Sequence, residues 1–249
     1  MPIRGVIFDV GGTLLTQEPL VGSPSNLRGA ADIAPLVRPF IKTGLTDEQL
    51  AESFGEALQE ALVDAYQHEC ALPDSHRILA QVLDEMDWEP SSEAIEVLLP
   101  AYFDPWFKAM QPLPQAVRVL QLLREAGLRI AAIANVLYGE DLLLERLRTL
   151  GLAPHLDAVV FSTELGWLKP HPAPYRAAAQ RLGLSPRSLV MVGDDWEIDV
   201  RAAQRLGIRA IWLRSADLHP RDESAAAVID DLGDLIPAIA DLDRSERAA

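Results

Sequence analysis

Short apolar runs alternate with longer amphipathic stretches along most of the chain. Residues 5–8 (GVIF) end at Asp9 and are followed by two glycines, which is typical of a buried strand entering a tight loop. Similar runs recur at residues 129–134, 158–161, 189–192, 209–213 and, more weakly, 227–229. Stretches with helical spacing lie between them, at 115–126, 139–150, 174–182 and 197–206. The alternation predicts an α/β fold, with a doubly wound, Rossmann-like parallel sheet covered by helices on both faces.

The stretch from residue 16 to residue 111 breaks this alternation, because it contains no convincing strand. Thr46 and Gln49 form a capping-box start, followed by apolar positions at helical spacing up to Tyr66. Further helices are predicted over 30–42, 74–86 and 92–110. The sequence thus predicts an all-helical insertion at 16–111 within a core made of 1–15 and 112–241. The charged and small residues of 242–249 predict a frayed tail.

Composition and charge narrow the classes of partner. The formal net charge of −15 argues against nucleic acid or an anionic membrane surface, because the phosphates would be repelled. No apolar run approaches the ~20 residues of a membrane span. Cys70 is the single cysteine, and the N-terminus carries no apolar segment of the signal-peptide type, so a cytoplasmic location is expected. A small anionic ligand is compatible with the net charge, since it responds to the local field of a pocket.

Polar residues follow four of the predicted strands at the point where each strand ends. They are Asp9, then Asn135, then Lys169 in the loop after the third strand, and then Asp194, Asp195 and Asp199. Ligands bind at the carboxyl ends of the strands in a doubly wound sheet. Carboxylates suit Mg²⁺ and a lysine neutralises phosphate charge. These residues therefore indicate a site for a cation and a phosphate group.

The same residues resemble the motifs of the haloacid dehalogenase (HAD) superfamily, in the subfamily with a helical C1 cap. That family has Asp-x-Asp-x-Thr after its first strand, then a Ser or Thr, then a Lys often followed by Pro, and finally Gly-Asp-(Asp/Ser)-x-x-x-Asp. The corresponding segments here read DVGGT at 9–13, AN at 134–135, KP at 169–170 and GDDWEID at 193–199. The matching order spans the predicted core, and the helical insertion occupies the position of the family's cap.

The resemblance implies Mg²⁺-dependent hydrolysis of a small-molecule phosphate ester or acyl phosphate. Asp9 would attack phosphorus and form an aspartyl-phosphate, and Lys169 would orient Asp9 and balance the phosphoryl charge. The implied metal ligands are Asp9, the Gly11 carbonyl and Asp194, with support from Asp195 and Asp199. The implied phosphate-binding residues are Gly12, Thr13, Asn135 and Lys169. The cap would close the site and select the substrate.

Two positions depart from the family pattern. Gly11 replaces the second aspartate of the first motif, which supplies general acid-base catalysis worth typically ~10²–10⁴-fold in rate. Ala134 replaces the Ser or Thr, so one hydrogen bond to phosphate is lost, for which Asn135 would partly compensate. The metal-binding half of the motif set is present and the proton-transfer half is not. A phosphatase of this kind would favour leaving groups that depart without protonation.

Other functions fit parts of the pattern. A catalytically impaired HAD-fold binding protein is the main alternative, given Gly11 and Ala134. Haloacid dehalogenases also lack the second aspartate but usually lose the acidic last motif, which this chain keeps. A phosphonatase-type reaction would need an imine-forming cap lysine, Lys42 or Lys108. Structural interpretations also stand for single residues, because Asp195 suits a helix N-terminus and Asn135 could cap the following helix.

Overall fold

A computed structural model describes residues 2–41, 44–214 and 225–248, so Lys42 lies outside the described residues. All six predicted strands are present. They are β1 Gly5–Asp9, β2 Arg129–Ala134, β3 Ala158–Phe161, β4 Leu189–Gly193, β5 Arg209–Leu213 and β6 Ala227–Ile229. The helices are α1 Pro24–Val37, α2 Asp47–Gln67, α3 Ser75–Asp84, α4 Ser92–Ala109, α5 Ala116–Glu125, α6 Glu140–Thr149, α7 Ser162–Leu165, α8 Pro172–Leu182, α9 Ala202–Arg205 and α10 Leu235–Ala248. No described helix combines the length and apolar character needed to cross a membrane.

The six strands form one parallel sheet in the order β3-β2-β1-β4-β5-β6. Strand β1 is central, and its Phe8 pairs with Ala132 of β2 on one side and Val192 of β4 on the other. Both faces of the sheet are covered, since adjacent residues such as Ile7 and Phe8 point to opposite faces and are both fully buried. The fold class predicted from the sequence is confirmed. The strand order reverses beside β1, which places the ends of β1 and β4 at the switch point where such sheets bind ligands.

The chain divides into two compact units. The first comprises Met1–Thr16, Gln111–Asn135 and Leu147–Ala249 and contains the sheet; the second comprises Gln17–Met110 and Val136–Arg146. The segment from Val136 to Arg146 was expected in the core but groups with the helices. Its contacts explain this, because the Leu137 carbonyl accepts a hydrogen bond from Ser75 and Arg146 donates to the Met110 carbonyl.

Helices α1 to α4 make up most of the second unit. The capping box of Thr46 and Gln49 is confirmed at the start of α2. The helix predicted over 30–42 lies instead at Pro24–Val37, because the Ser23 side chain caps it and proline suits its first turn. The amide of Asn26 ties this unit together inside, donating to the Ala51 carbonyl and accepting from the Tyr102 hydroxyl.

In the first unit, which contains the sheet, two elements differ from the sequence-based prediction. The helix predicted over 197–206 begins as a π-helical turn, Trp196–Arg201, and only then continues as α9. The tail predicted to fray is the end of α10, which runs to Ala248. Asp243 accepts a 2.8 Å hydrogen bond from the Ile3 backbone N–H, so the helix is tied to the segment that leads into β1.

Candidate active site

Asp9 is the last residue of β1, the central strand, and its side chain is almost fully buried. The chain then turns tightly, with the N–H of Gly12 donating to the Leu15 carbonyl at 2.7 Å. Gly12 has φ +87, and a Cβ there would lie 2.4 Å from a carboxylate oxygen of Asp194. Only glycine suits this position, because it permits both the left-handed backbone and the close approach of Asp194.

The ammonium of Lys169 joins two carboxylates. It lies 2.5 Å from Asp9 Oδ1 and 2.7 Å from Asp199 Oδ1, with only 2% of its side chain exposed. Burial opposes the charge of this ammonium, but the attraction of Asp199 and Asp9 prevails and holds the pKa of Lys169 well above its ordinary value. Lys169 is therefore a permanent cation that fixes one oxygen of Asp9.

The position of Lys169 is set by Asn135, the first residue after β2. The Asn135 side chain accepts from the Lys169 N–H at 2.8 Å and donates to the Lys169 carbonyl at 2.9 Å. The sequence offered Asn135 as a phosphate ligand, whereas in the structure its amide binds the backbone of the lysine loop. The next peptide bond, between Lys169 and Pro170, is cis.

The acidic residues of the site follow the end of strand β4. Asp194 follows its last residue, Gly193, and accepts a 3.2 Å hydrogen bond from the Thr13 hydroxyl. Burial, reinforced by the charge of Asp9, raises the pKa of Asp194 to about 6. Asp199 is fully enclosed, and this burial raises its pKa to about 7 although Lys169 opposes the shift. Both carboxylates therefore hold a proton more tightly than an exposed aspartate does.

Asp9, Asp194 and Asp199 offer carboxylate oxygens that all lie within 4.8 Å of one another. Asp9 Oδ2 is buried, and no donor in the described part of the chain hydrogen-bonds it. A buried anionic oxygen without a partner is costly, and a cation removes that cost. An all-oxygen donor set of this kind suits a hard cation such as Mg²⁺.

The remaining predicted site residues have other bonds. The side chain of Asp195 accepts from the Ile198 N–H and so caps the π-helical turn, while its own N–H donates to Asp199. The hydroxyl of Thr13 is buried against Asp194. The structure thus unites Asp9, Thr13, Lys169, Asp194 and Asp199, whereas Asp195 caps a helical turn.

Two aromatic residues at the site were missed by the sequence reasoning. The Trp212 indole N–H donates to the Asp194 carbonyl at 2.9 Å, and the Tyr175 hydroxyl donates to the Ile198 carbonyl. One signal was available for Trp212, since it lies near the end of an apolar strand run, at the sheet edge where the polar residues gather. Tyr175 gave none, because a tyrosine inside an amphipathic helix is typical of ordinary packing.

Known proteins resemble the chain in sequence and in fold. A model of the haloacid dehalogenase-like hydrolase family matches residues 3–207. A glyceraldehyde 3-phosphate phosphatase of Methanopyrus kandleri is 29% identical over 224 residues, 89% of each chain. A phosphoserine phosphatase of Thermus thermophilus is 34% identical over 184 residues, 71% of each chain. A 2-haloacid dehalogenase structure from Pseudomonas syringae superposes with a TM-score of 0.71 at 22% identity, covering 96% of this chain and 98% of that one. At this identity the superposition bears on the fold alone.

Proposed function

Because this chain belongs to the haloacid dehalogenase-like hydrolase family, we propose that it is a Mg²⁺-dependent phosphatase that transfers the phosphoryl group of a small molecule to Asp9. Its relatives include phosphatases, which identifies it as a phosphatase-type hydrolase. One observation carries the finer proposal: a buried lysine holds Asp9 beside two further carboxylates at the carboxyl end of the central strand.

The residues that would hold Mg²⁺ are Asp9, the Gly11 carbonyl and Asp194. The carboxylate of Asp199 already accepts hydrogen bonds from Lys169 and from the Asp195 N–H. It would therefore orient the metal ligands without binding the metal itself. When bound, Mg²⁺ would neutralise phosphate oxygens as charge shifts onto them during transfer. The unpartnered Asp9 Oδ2 supports this assignment, since it is the oxygen that lacks any other counter-charge among the described residues.

The protein's own groups would carry the reaction as follows. A carboxylate oxygen of Asp9 attacks phosphorus in line with the leaving oxygen; the new O–P bond forms as the bond to the leaving oxygen breaks with its electron pair. Lys169 keeps Asp9 oriented and offsets the charge of the incoming phosphate. A water molecule then attacks the phosphorus of the aspartyl-phosphate, releasing inorganic phosphate and restoring Asp9.

Gly11 determines which leaving groups suit the site. An alkoxide is strongly basic and departs slowly unless an acid protonates it, whereas an aryloxide or a carboxylate departs as an anion. Gly11 has no side chain to donate that proton or to activate the attacking water. We therefore expect acyl and aryl phosphates to be turned over faster than alkyl phosphates. Small anionic metabolites of the cytoplasm are the expected substrate class, in keeping with the single cysteine.

Turnover of matched aryl, acyl and alkyl phosphates with Mg²⁺ tests this function. Wild type should hydrolyse the activated phosphates, Asp9→Asn should hydrolyse none, and Gly11→Asp should raise alkyl phosphate turnover by roughly 10²-fold or more. Equal wild-type rates on aryl and alkyl phosphates would refute the leaving-group preference. Activity that survives Asp9→Asn would refute the nucleophile.

A second candidate is a phosphate-binding protein of the same fold with little turnover. Gly11 and Ala134 favour it, because the family's acid-base aspartate and its Ser or Thr are missing at these two positions. Binding of Mg²⁺ and phosphate without hydrolysis of any activated phosphate would support this candidate over the first.

The dehalogenase and phosphonatase alternatives receive less support. Asp194 and Asp199 are retained and clustered with Asp9, which halide displacement does not need. Lys108 is 72% exposed and forms an ion pair with Asp104, so it lacks the burial that would make it a nucleophilic amine. Metal-independent chloride release from a 2-haloacid would support the dehalogenase alternative. Borohydride trapping of an imine would support the phosphonatase alternative.

A further inference from the structure

Trp212 lies at the end of the sheet ladder that leads to the acidic loop. In the pairing of β4 with β5, the last register pair is Gly193 with Trp212. Asp194 follows immediately, so its carbonyl falls beyond this ladder. The indole N–H of Trp212 donates to that carbonyl at 2.9 Å. The Trp212 side chain thus adds one hydrogen bond beyond the ladder, to Asp194, which is the residue that would hold the metal.

The indole itself is held firmly. Trp212 is 3% exposed and belongs to the apolar core on one face of the sheet. Trp196, the first residue of the π-helical turn, packs edge-on against it, with ring centroids 5.2 Å apart and planes at 64°. A ring packed in this way has little rotamer freedom, so its N–H is a fixed donor.

Asp194 is therefore anchored at two points. Thr13 holds its carboxylate from the turn after β1, and Trp212 holds its backbone from β5. Gly193 lets this loop fold back closely, since a Cβ there would lie 2.3 Å from the Asp199 side chain. The peptide after Asp194 is held at both ends, by the indole bond at its carbonyl and by the 3.2 Å bond from the Asp195 N–H to Asp199. Loss of the indole bond would leave it held at the N–H alone, so more ordering would be needed when a cation bound.

We propose that Trp212 is a positioning residue for Mg²⁺, which sets the affinity of the site by fixing the backbone of Asp194. The proposal rests on the proposed function only in that Asp194 is a metal ligand. Partners of this outer kind typically change metal affinity by ~10–100-fold when they are removed. The indole N–H, and not the bulk of the ring, is the group that carries the effect.

A test must remove the N–H and keep the ring, because Trp212→Phe also leaves a cavity in the core. Replacement of Trp212 by benzothienylalanine puts sulfur in place of N–H at nearly the same volume. Mg²⁺ binding is measured by calorimetry on the full chain, and stability by urea unfolding in EDTA. Tyr102→Phe is the matched control, since it also removes a buried aromatic donor, here from Asn26 in the helical unit.

We expect the benzothienyl variant to bind Mg²⁺ at least about tenfold more weakly than wild type. Tyr102→Phe should lose comparable stability and keep wild-type Mg²⁺ affinity. In ¹⁵N-labelled wild type, the indole resonance that disappears in Trp212→Phe should shift when Mg²⁺ saturates the protein.

The opposing outcomes separate the two proposals. Wild type that binds no Mg²⁺ overturns the proposed metal dependence and the positioning role with it. Wild type that binds Mg²⁺, with unchanged affinity in the benzothienyl variant, overturns the positioning role alone and leaves Trp212 as a core residue. An equal loss of affinity in Tyr102→Phe would also overturn it, because the effect would then follow from lowered stability.

Discussion

The side chain of Asn135 binds both backbone groups of Lys169, accepting from its N–H at 2.8 Å and donating to its carbonyl at 2.9 Å. A carboxamide carries one acceptor and one donor side by side, which is what a single residue's backbone requires. The end of β2 thereby fixes the loop that follows β3. Since the Lys169 ammonium holds Asp9, Asn135 acts on the candidate nucleophile through the lysine.

Replacement of Asn135 by alanine should impair both stability and turnover. Two partly buried backbone groups of Lys169 lose their partner, which costs ~1–3 kcal/mol of unfolding free energy. A lysine displaced by ~1 Å can reduce turnover by up to ~10²-fold. Urea unfolding and steady-state hydrolysis of an aryl phosphate measure the two effects. Lowered stability with wild-type turnover would show that Asn135 only stabilises the loop.

Removal of the Lys169 charge should destabilise the protein in a pH-dependent manner. Lys169→Met leaves Asp9 and Asp199 buried without their cation, a change that typically costs ~3–5 kcal/mol. Because Lys169 lowers the pKa of Asp199, its loss raises that pKa further above the unfolded value. The extra stability of the protonated form is present at low pH and is lost as the pH rises, so the deficit should be larger near pH 8 than near pH 5.

The control for that experiment is Lys169→Arg, which keeps the positive charge. Urea unfolding of both variants and wild type at the two pH values gives the comparison. A deficit in Lys169→Met that does not change with pH would contradict the electrostatic account and leave only lost packing.

The metal-free protein should lose stability as Asp194 ionises. Its pKa is about 6 in the folded protein against an ordinary 3.8. The folded state thus holds the proton more tightly, so this contribution is complete below the ordinary pKa and disappears as the pH rises through about 6. Mg²⁺ favours the ionised carboxylate, and its apparent affinity should rise over the same interval.

The variant Asp194→Asn isolates the contribution of Asp194 to the pH dependence of stability, because its side chain does not titrate. Calorimetric melting in EDTA across that interval should show the stability of wild type falling relative to the variant, and saturating Mg²⁺ should restore wild type only. Parallel melting profiles for the two proteins would mean that Asp194 does not titrate in this range.

The last helix should contribute to stability without affecting the site. Asp243→Ala removes the acceptor for the Ile3 N–H, a bond that ties α10 to the segment before β1. We expect a loss of ~0.5–1.5 kcal/mol in unfolding free energy and unchanged Mg²⁺ affinity. A neutral effect on urea unfolding would indicate that the end of α10 is held by other contacts.

Patterns local in sequence predicted most of the elements. Each strand was recognisable because parallel strands are buried on both faces and read as continuous apolar runs. Thr46 and Gln49 marked the start of α2 through a cap that involves only neighbouring residues. The helical end of α10 was not recognised, since its charged composition resembles a tail, and the bond between Asp243 and Ile3 joins residues that lie far apart in the sequence. The π-helical turn after Asp195 could not be predicted from the sequence either, because the spacing of apolar residues does not distinguish such a turn from an α-helix.

The sequence by itself determined the fold class and singled out the candidate reactive groups, because strand runs, caps and the acidic and lysine motifs are recognised from residue type and spacing alone. Only the tertiary structure decided how those groups are held. Asn135 contacts Lys169 from 34 residues away, and Trp212 contacts Asp194 from a neighbouring strand 18 residues away. Such bonds depend on which strand ends lie side by side and at what angle a side chain leaves its strand. No local pattern in the chain encodes that information.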